Sequence, residues 1–278
     1  MPAYVCATCG CQYPETDAPP ESCMICADER QFVAWEGQQW TTVEELRSGH
    51  RNRFETMEPD LRRIGTEPEF AIGQHAFLLS APGGNLLWDC ITLIDDETVE
   101  AVAELGGVSA IALSHPHYYS SIVEWSRAFD GAPVYIHADD RQWVTRRDPA
   151  IVFWDGETRA LGEGLTLIRG GGHFEGGSML HWAAGADGRG VLLAGDIIQV
   201  VHDRRWVSFM YSYINYIPLP ASKVRRLAQV VEPFAFDRIY SPWPGRVVSA
   251  DAKAAVMRSA QRYIRAIEDV DPVSAGGV

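Results

Sequence analysis

The chain has 278 residues, is 46% hydrophobic and carries a formal net charge of −13. That is enough apolar material for one large core and a small appendage, and the acidic balance argues against nucleic-acid phosphates or an anionic membrane surface as partners. No apolar run approaches the roughly 18 residues of a membrane span, and the opening Met1-Pro2-Ala3-Tyr4-Val5-Cys6 lacks the basic and apolar regions of a secretory signal, so a soluble cytoplasmic protein is expected.

Five of the six cysteines fall in the first 26 residues: Cys6, Cys9, Cys11, Cys23 and Cys26. Such clustering in a reducing compartment reads as a metal site rather than a disulfide framework. Cys6-Ala7-Thr8-Cys9 and Cys23-Met24-Ile25-Cys26 are two knuckles, each able to bring two thiolates to one ion from a tight turn. Four thiolates at about 2.3 Å complete a tetrahedron. The intervening turn-rich stretch cannot form a core of its own, so the metal would supply most of the folding free energy. Cys11 reads as a bystander, because Cys9 already closes the first knuckle. The Cys-x-x-Cys-Gly pattern, a proline ahead of the second knuckle and Phe32 after it resemble the rubredoxin-like domain of rubrerythrins. That resemblance implies an iron or zinc ribbon over residues 1–35. Four cysteines do not decide between a structural zinc and an electron-transferring iron.

Residues 36–60 read as a connector, with Thr41 or Thr42 capping a short helix over Val43–Arg47 that stops at Ser48-Gly49. From about Leu61 short strands and helices alternate. Strands are expected at Phe70–Ile72, Ala76–Ser80, Asn85–Trp88, Ser109–Leu113, Val134–Ile136, Leu165–Ile168, Met179–Ala183, Val191–Leu193 and Arg238–Tyr240. Helices are expected at Asp95–Leu105, Ser120–Phe129, Ser222–Val231 and Ala250–Ile267. Strands in meanders, then alternating with helices, indicate an α/β protein with sheets covered by helices.

Four metal-type ligands sit where hydrophobic strands give way to Gly- or Pro-containing loops: His115 and His117 in Ser-His-Pro-His, His173 in Gly-Gly-His-Phe-Glu-Gly-Gly, and Asp196 in Leu-Ala-Gly-Asp. Three imidazoles and a carboxylate suit zinc or iron. With Asp89 at an earlier strand end, their order and spacing resemble the metallo-β-lactamase superfamily over residues 61–278. The resemblance implies an αββα sandwich with metals at one edge of the β-layers. It gives His115, His117 and His173 as ligands, Asp196 as the carboxylate that bridges two metals, and Asp89 as an orienting group behind them. It also shows a departure. The Asp and His that should complete a His-x-His-x-Asp-His motif are Tyr119 and Ser120, and the late histidine is replaced within Ser241-Pro-Trp-Pro-Gly, at Trp243. The ligands peculiar to a second metal are missing, and a mononuclear site is expected.

Tyr119 is then the candidate to donate a hydrogen bond to a developing oxyanion, with Tyr118 the lesser candidate. His137 reads as capping or pocket-lining, Asp139 and Asp140 as dipole partners of a helix start, His181 as packed, and His202 as an outside candidate for the site. The aromatic run from Trp206 to Tyr216, continuing to Pro220, reads either as a pocket roof or as a contact between copies in a homo-oligomer. The leading expectation is a glyoxalase II-like hydrolase of a small-molecule ester, thioester or lactone, with metal-bound hydroxide attacking the carbonyl. The alternatives are a mononuclear-iron oxidoreductase like the persulfide dioxygenases of the superfamily, and a non-catalytic binding protein.

Overall fold

The computed structural model describes residues 1–268, so the end of the expected 61–278 domain lies outside the described residues. The chain divides into two compact units, Met1–Asp155 and the residues from Gly156 onward.

The first unit opens with an antiparallel sheet ordered β2-β1-β3, with β1 at Ala3–Cys6, β2 at Gln12–Glu15 and β3 at Trp40–Thr42. Thr42 begins α1 (Val43–Arg47) with a reciprocal cap: its hydroxyl accepts from the Glu45 amide at 3.1 Å, and the Glu45 carboxylate accepts from the Thr42 amide at 3.1 Å. There follow β4 (Arg51–Glu58), β5 (Leu61–Glu67), β6 (Ala76–Leu79), β7 (Leu86–Trp88), α2 (Asp96–Glu104), β8 (Ala110–Ala112), α3 (Ile122–Ala128), β9 (Val134–His137) and β10 (Ile151–Trp154). The sheet runs β10-β9-β8-β7-β6-β5-β4, antiparallel from β4 to β7 and parallel from β7 to β10.

Two stretches differ from the sequence reading. Residues 36–60 contribute β3 to the ribbon and β4 to the large sheet, so that sheet starts at Arg51 rather than at Leu61. β4 is an edge strand whose side chains are mostly exposed, and it carries the charges that blunt such an edge. Arg53 pairs with Glu67 at 2.9 Å, and Arg63 pairs with Glu55. An edge strand with one weakly buried face gives little period-2 signal. Phe70–Ile72 forms no strand: Ala71 sits at φ +55° and turns the chain.

The inner strands are buried on both faces. Leu78, Leu87, Ile111, Val134 and Ile136 share one core with Val102 of α2 and Trp125 of α3. The same core includes Val5, Ile25 and the ribbon cysteines, so the ribbon is built into the unit. Thr92 donates its hydroxyl to the Gly10 carbonyl at 2.8 Å, the Gln12 amide donates to the Ser120 carbonyl at 3.0 Å, and Thr145 donates to the Gln12 carbonyl at 2.7 Å. The buried Arg146 guanidinium ties together Gln12, Glu15 and Glu124. Gly10, at φ +78°, has no room for a side chain, since a Cβ there would lie 2.4 Å from the Thr92 hydroxyl.

The second unit comprises β11 (Thr158–Gly162), β12 (Leu165–Arg169), β13 (Ser178–Trp182), a single turn α4 (Gly185–Gly188), β14 (Val191–Leu193), β15 (Gln199–Val200), β16 (Val207–Ser208), β17 (Met210–Ser212), β18 (Ile217–Pro218), α5 (Ala221–Val231), β19 (Arg238–Tyr240), β20 (Val247–Val248) and α6 (Ala252–Ile267). Its main sheet is ordered β11-β12-β13-β14-β19-β20, with β14 and β19 parallel. Val224, Leu227 and Val231 of α5 pack with Val256 and Ala260 of α6 and with Ile168, Leu192 and Ile239 of the sheet. Among the described residues no helix is long and apolar enough to cross a membrane.

One titration follows from the packing of β5. A Cβ at Gly65 would lie 2.1 Å from the His75 ring, so the imidazole occupies the space over that glycine. Burial, then the charge of Arg63, pushes the His75 pKa down to about 4. The unfolded chain therefore binds this proton first, near 6.5, and the stability contributed by neutral His75 is complete above that pH and is lost as pH falls towards 4. We expect the wild-type urea midpoint to drop between pH 7 and pH 5 by the equivalent of roughly 2 kcal/mol, and His75→Phe to flatten that part of the profile. Equal slopes in the two proteins would assign the pH dependence elsewhere.

Candidate metal centres

Cys6, Cys9, Cys23 and Cys26 are buried, carry free thiols, and bring their sulfurs within 4.8 Å of one another. The Cys6–Cys26 and Cys9–Cys23 sulfurs are each 3.6 Å apart. That is far beyond a disulfide bond of about 2.05 Å and near the edge, about 3.8 Å, of a tetrahedron with metal–sulfur bonds of about 2.3 Å. Hydrogen bonds among the thiols hold Cys6 and Cys23 low and Cys9 and Cys26 high, an unequal sharing of protons that a cation would displace. The residues fit a tetrahedral metal. Gln38 supports the quartet, donating to the Cys6 sulfur at 3.2 Å and accepting from the Cys23 amide at 3.1 Å. Sequence reasoning gave no sign of it, because it lies outside the knuckles. Cys11 stays out of the quartet, its sulfur 3.2 Å from the Thr145 hydroxyl.

The second ligand set starts at the carboxyl ends of parallel strands, where side chains can leave the sheet. After β7, Asp89 turns at φ +60° and is fully buried. Its Oδ1 accepts the Ser114 amide at 2.7 Å, which fixes the chain as it enters His115 from β8. His115 is extended, at φ −169°, and Pro116 starts the 3-10 turn that carries His117. The extended-then-turn geometry places the two imidazoles 5.0 Å apart at an interplanar angle of 72°. Ser114 bonds His115 Nδ1 at 2.9 Å, leaving Nε2 as the outward nitrogen.

His173 sits in the loop between β12 and β13. Gly172 takes φ +83° with Leu219 already 3.0 Å from where a Cβ would be. His173 Nδ1 donates to the Tyr211 carbonyl at 2.7 Å, a bond that fixes the tautomer and the ring orientation. Asp196 follows β14 and is 5% exposed. Burial pushes its pKa up to about 6, opposed by the Trp243 indole N–H, which donates to Oδ1 at 3.0 Å, and by a longer bond from Gln199 at 3.5 Å. Trp243 comes from the loop after β19, the parallel neighbour of β14.

His115 and His117 are buried in the first unit, and His173 and Asp196 are buried in the second. The donor set suits zinc or iron. At Tyr119, Ser120 and Trp243, the three positions that depart from the motif the sequence resembles, the side chains are otherwise engaged. Tyr119 is buried in the first core and lines a small cavity with Gln12, Val144, Thr145 and Arg146. Ser120 donates to the Cys90 carbonyl at 3.2 Å, and Trp243 is bonded to Asp196. The tyrosine against the ligand imidazoles is Tyr118, whose ring is 5.0 Å from that of His115.

The remaining candidates sort by environment. His137 caps a 3-10 turn over Ala138–Trp143, accepting the Asp139 amide at 3.2 Å, and packs its ring 4.5 Å from Trp154. Asp139 and Asp140 both lie in the first turn of that element, as expected, with Asp140 buried. His181 bonds the Ala235 carbonyl at 2.7 Å. His202 is exposed, 3.0 Å from Arg246, and outside the ligand group. Of the aromatic run, Phe209 is buried, the Tyr213 ring lies 5.7 Å from His173, and Tyr216 is 83% exposed.

Because the Trp243 N–H stabilises the Asp196 anion, Trp243→Phe removes a donor and raises the pH needed to ionise the ligand. We expect metal affinity of this site to fall about tenfold, the scale on which second-shell changes act, in chelator competition at pH 7, with the thiolate site unaffected. An unchanged affinity would show that the indole is packing alone.

No known family profile matches the chain. Its fold is similar to that of the VMB-1 structure at pH 5.5, with a TM-score of 0.56 at 12% identity over 78% of this chain and 98% of that one. It is also similar to the metallo-β-lactamase SMB-1 in complex with mercaptoacetic acid (0.53, 19%, 77% and 95%) and to MEM-A1, a subclass B3 metallo-β-lactamase isolated from a soil metagenome library (0.52, 17%, 79% and 98%). The chain therefore has the metallo-β-lactamase fold. It is 54% identical over 269 residues, 96% of this chain and 97% of the other, to the uncharacterized protein YmaE of Bacillus subtilis (strain 168). At that identity and coverage, this chain and YmaE belong to one protein family.

Proposed function

We propose that the chain is a metal-dependent hydrolase that cleaves a small ester, thioester or lactone with one metal in the histidine–aspartate site, the thiolate ribbon holding a second, structural ion. The observation that carries this reading is the set of buried ligand residues in loops beyond the strands, His115 and His117 in the first unit and His173 and Asp196 in the second, with the Trp243 N–H engaged by Asp196. An indole N–H is a donor only, so it cannot replace the late histidine as a ligand. When bound, the ion would acidify a water and polarise a carbonyl.

The chain's own groups supply position and environment. The Tyr211 carbonyl and Ser114 hydroxyl orient His173 and His115. Asp89 holds the backbone before His115, and Trp243 favours the anionic form of Asp196 against the effect of burial. Tyr213 gives an aromatic wall beside His173, which suits an apolar acyl group. Tyr119, fully enclosed with its hydroxyl pushed well above the ordinary range by burial, serves the core in this proposal and not the reaction.

Metal-loaded protein should hydrolyse p-nitrophenyl acetate, contain two metal ions per chain, and lose one ion and at least about a hundredfold in rate in His117→Ala. This loss is that of a nucleophile-generating ion. Unchanged turnover in that variant would remove the site from the reaction. Dioxygen uptake with a persulfide substrate, in place of ester hydrolysis, would move the chain to the iron oxidoreductases.

A further inference from the structure

The first cysteine knuckle is wired to the loop that carries His115 and His117. Gln74 is 5% exposed and lies between them. Its side-chain amide donates to the Cys9 carbonyl at 3.0 Å, with longer contacts to the Ser120 hydroxyl at 3.4 Å and the His117 carbonyl at 3.5 Å. Ser120 is also fixed from the ribbon side, since its carbonyl accepts the Gln12 amide at 3.0 Å. It sits at φ +36°, a conformation that a non-glycine residue keeps only where its surroundings impose it. Cys9 is a ligand of one candidate ion and His117 of the other, so one side chain bonds the backbones of both sites.

We propose that the ribbon is a positioning element for the histidine site: its metal fixes the Cys6–Gln12 backbone, and Gln74 passes that order to the His117–Ser120 turn. Gln74 is a positioning residue rather than a catalytic one. The ribbon without its ion has no core of its own to hold this surface. The histidine loop then loses three of its anchors and pays to order itself when it binds. Coupling of this kind is reciprocal, so an ion in the histidine site also tightens the ribbon. The inference rests on the reading of His115 and His117 as ligands.

Cobalt(II) titration of the full chain separates the two sites. Thiolate-to-cobalt charge transfer in the near ultraviolet reports the ribbon, and weaker visible bands of a nitrogen–oxygen site report the histidines. We expect Gln74→Leu to keep the thiolate band while its histidine site yields cobalt to EDTA at about tenfold lower chelator concentration than wild type. Cys26→Ser should weaken the histidine site at least as much. His117→Ala, whose histidine site cannot fill normally, should hold ribbon cobalt more weakly than wild type. Histidine-site affinity that is the same in wild type, Gln74→Leu and Cys26→Ser overturns the coupling. Should Gln74→Leu fail to fold, Cys26→Ser and the reciprocal measurement on His117→Ala decide alone. A wild-type chain that shows the thiolate band and no visible nitrogen–oxygen bands would instead sink the histidine-site reading, and this inference with it.

Discussion

Asp196 and four cysteine thiols are all withdrawn from water, and everything distinctive about the chain turns on how those groups are kept there. An ionised carboxylate or thiolate loses its hydration on burial and needs a compensating charge or strong donors. At Asp196 the indole of Trp243 supplies part of that compensation and burial still lifts the pKa to about 6. In the ribbon, thiols at 3.6 Å share protons with one another, and the Gln38 amide donates to Cys6. A bound cation would supply the missing compensation in both places.

The fold makes these clusters without distorting its sheets. Asp89, His115 and Asp196 all follow short buried strands of three residues, β7, β8 and β14. The strands contribute only hydrophobic burial and hydrogen-bonded register, and the loops beyond them carry the polar chemistry. Positive φ at Asp89 and Gly172, and the proline between His115 and His117, are local devices that aim side chains a regular strand could not aim. Trp243 contributes to the same region through a hydrogen bond, its indole N–H donating to the Asp196 carboxylate.

How much of this was legible in the sequence depended on the kind of interaction. Candidate ligands could be named from the sequence because metal chemistry restricts residue type, and Asp89, His115, His117, His173 and Asp196 stand in an order that resembles a known superfamily. Helices with strong end signals, such as α2 behind the Asp95 cap, were also readable. β4 was not, because an exposed edge strand has no buried face to impose alternation. Sequence order did not separate the two tyrosines: Tyr119 lies in the core of the first unit, and Tyr118 is the one whose ring lies against His115. Gln38, Gln74 and the Tyr211 carbonyl could not be read at all. Each acts through backbone or amide contacts between residues far apart in sequence, a pattern without a compositional signature.

Arg146 sets a condition on any dissection of this molecule. Its guanidinium is only 9% exposed and finds its partners mostly on the ribbon, at Gln12 and Glu15. A chain cut back to begin at the large sheet would leave that cation facing Glu124 alone across an opened apolar surface, with Thr92 and Thr145 also stripped of acceptors. The ribbon is thus better regarded as a plug than as a tag, and a shortened protein would aggregate for reasons unrelated to its chemistry.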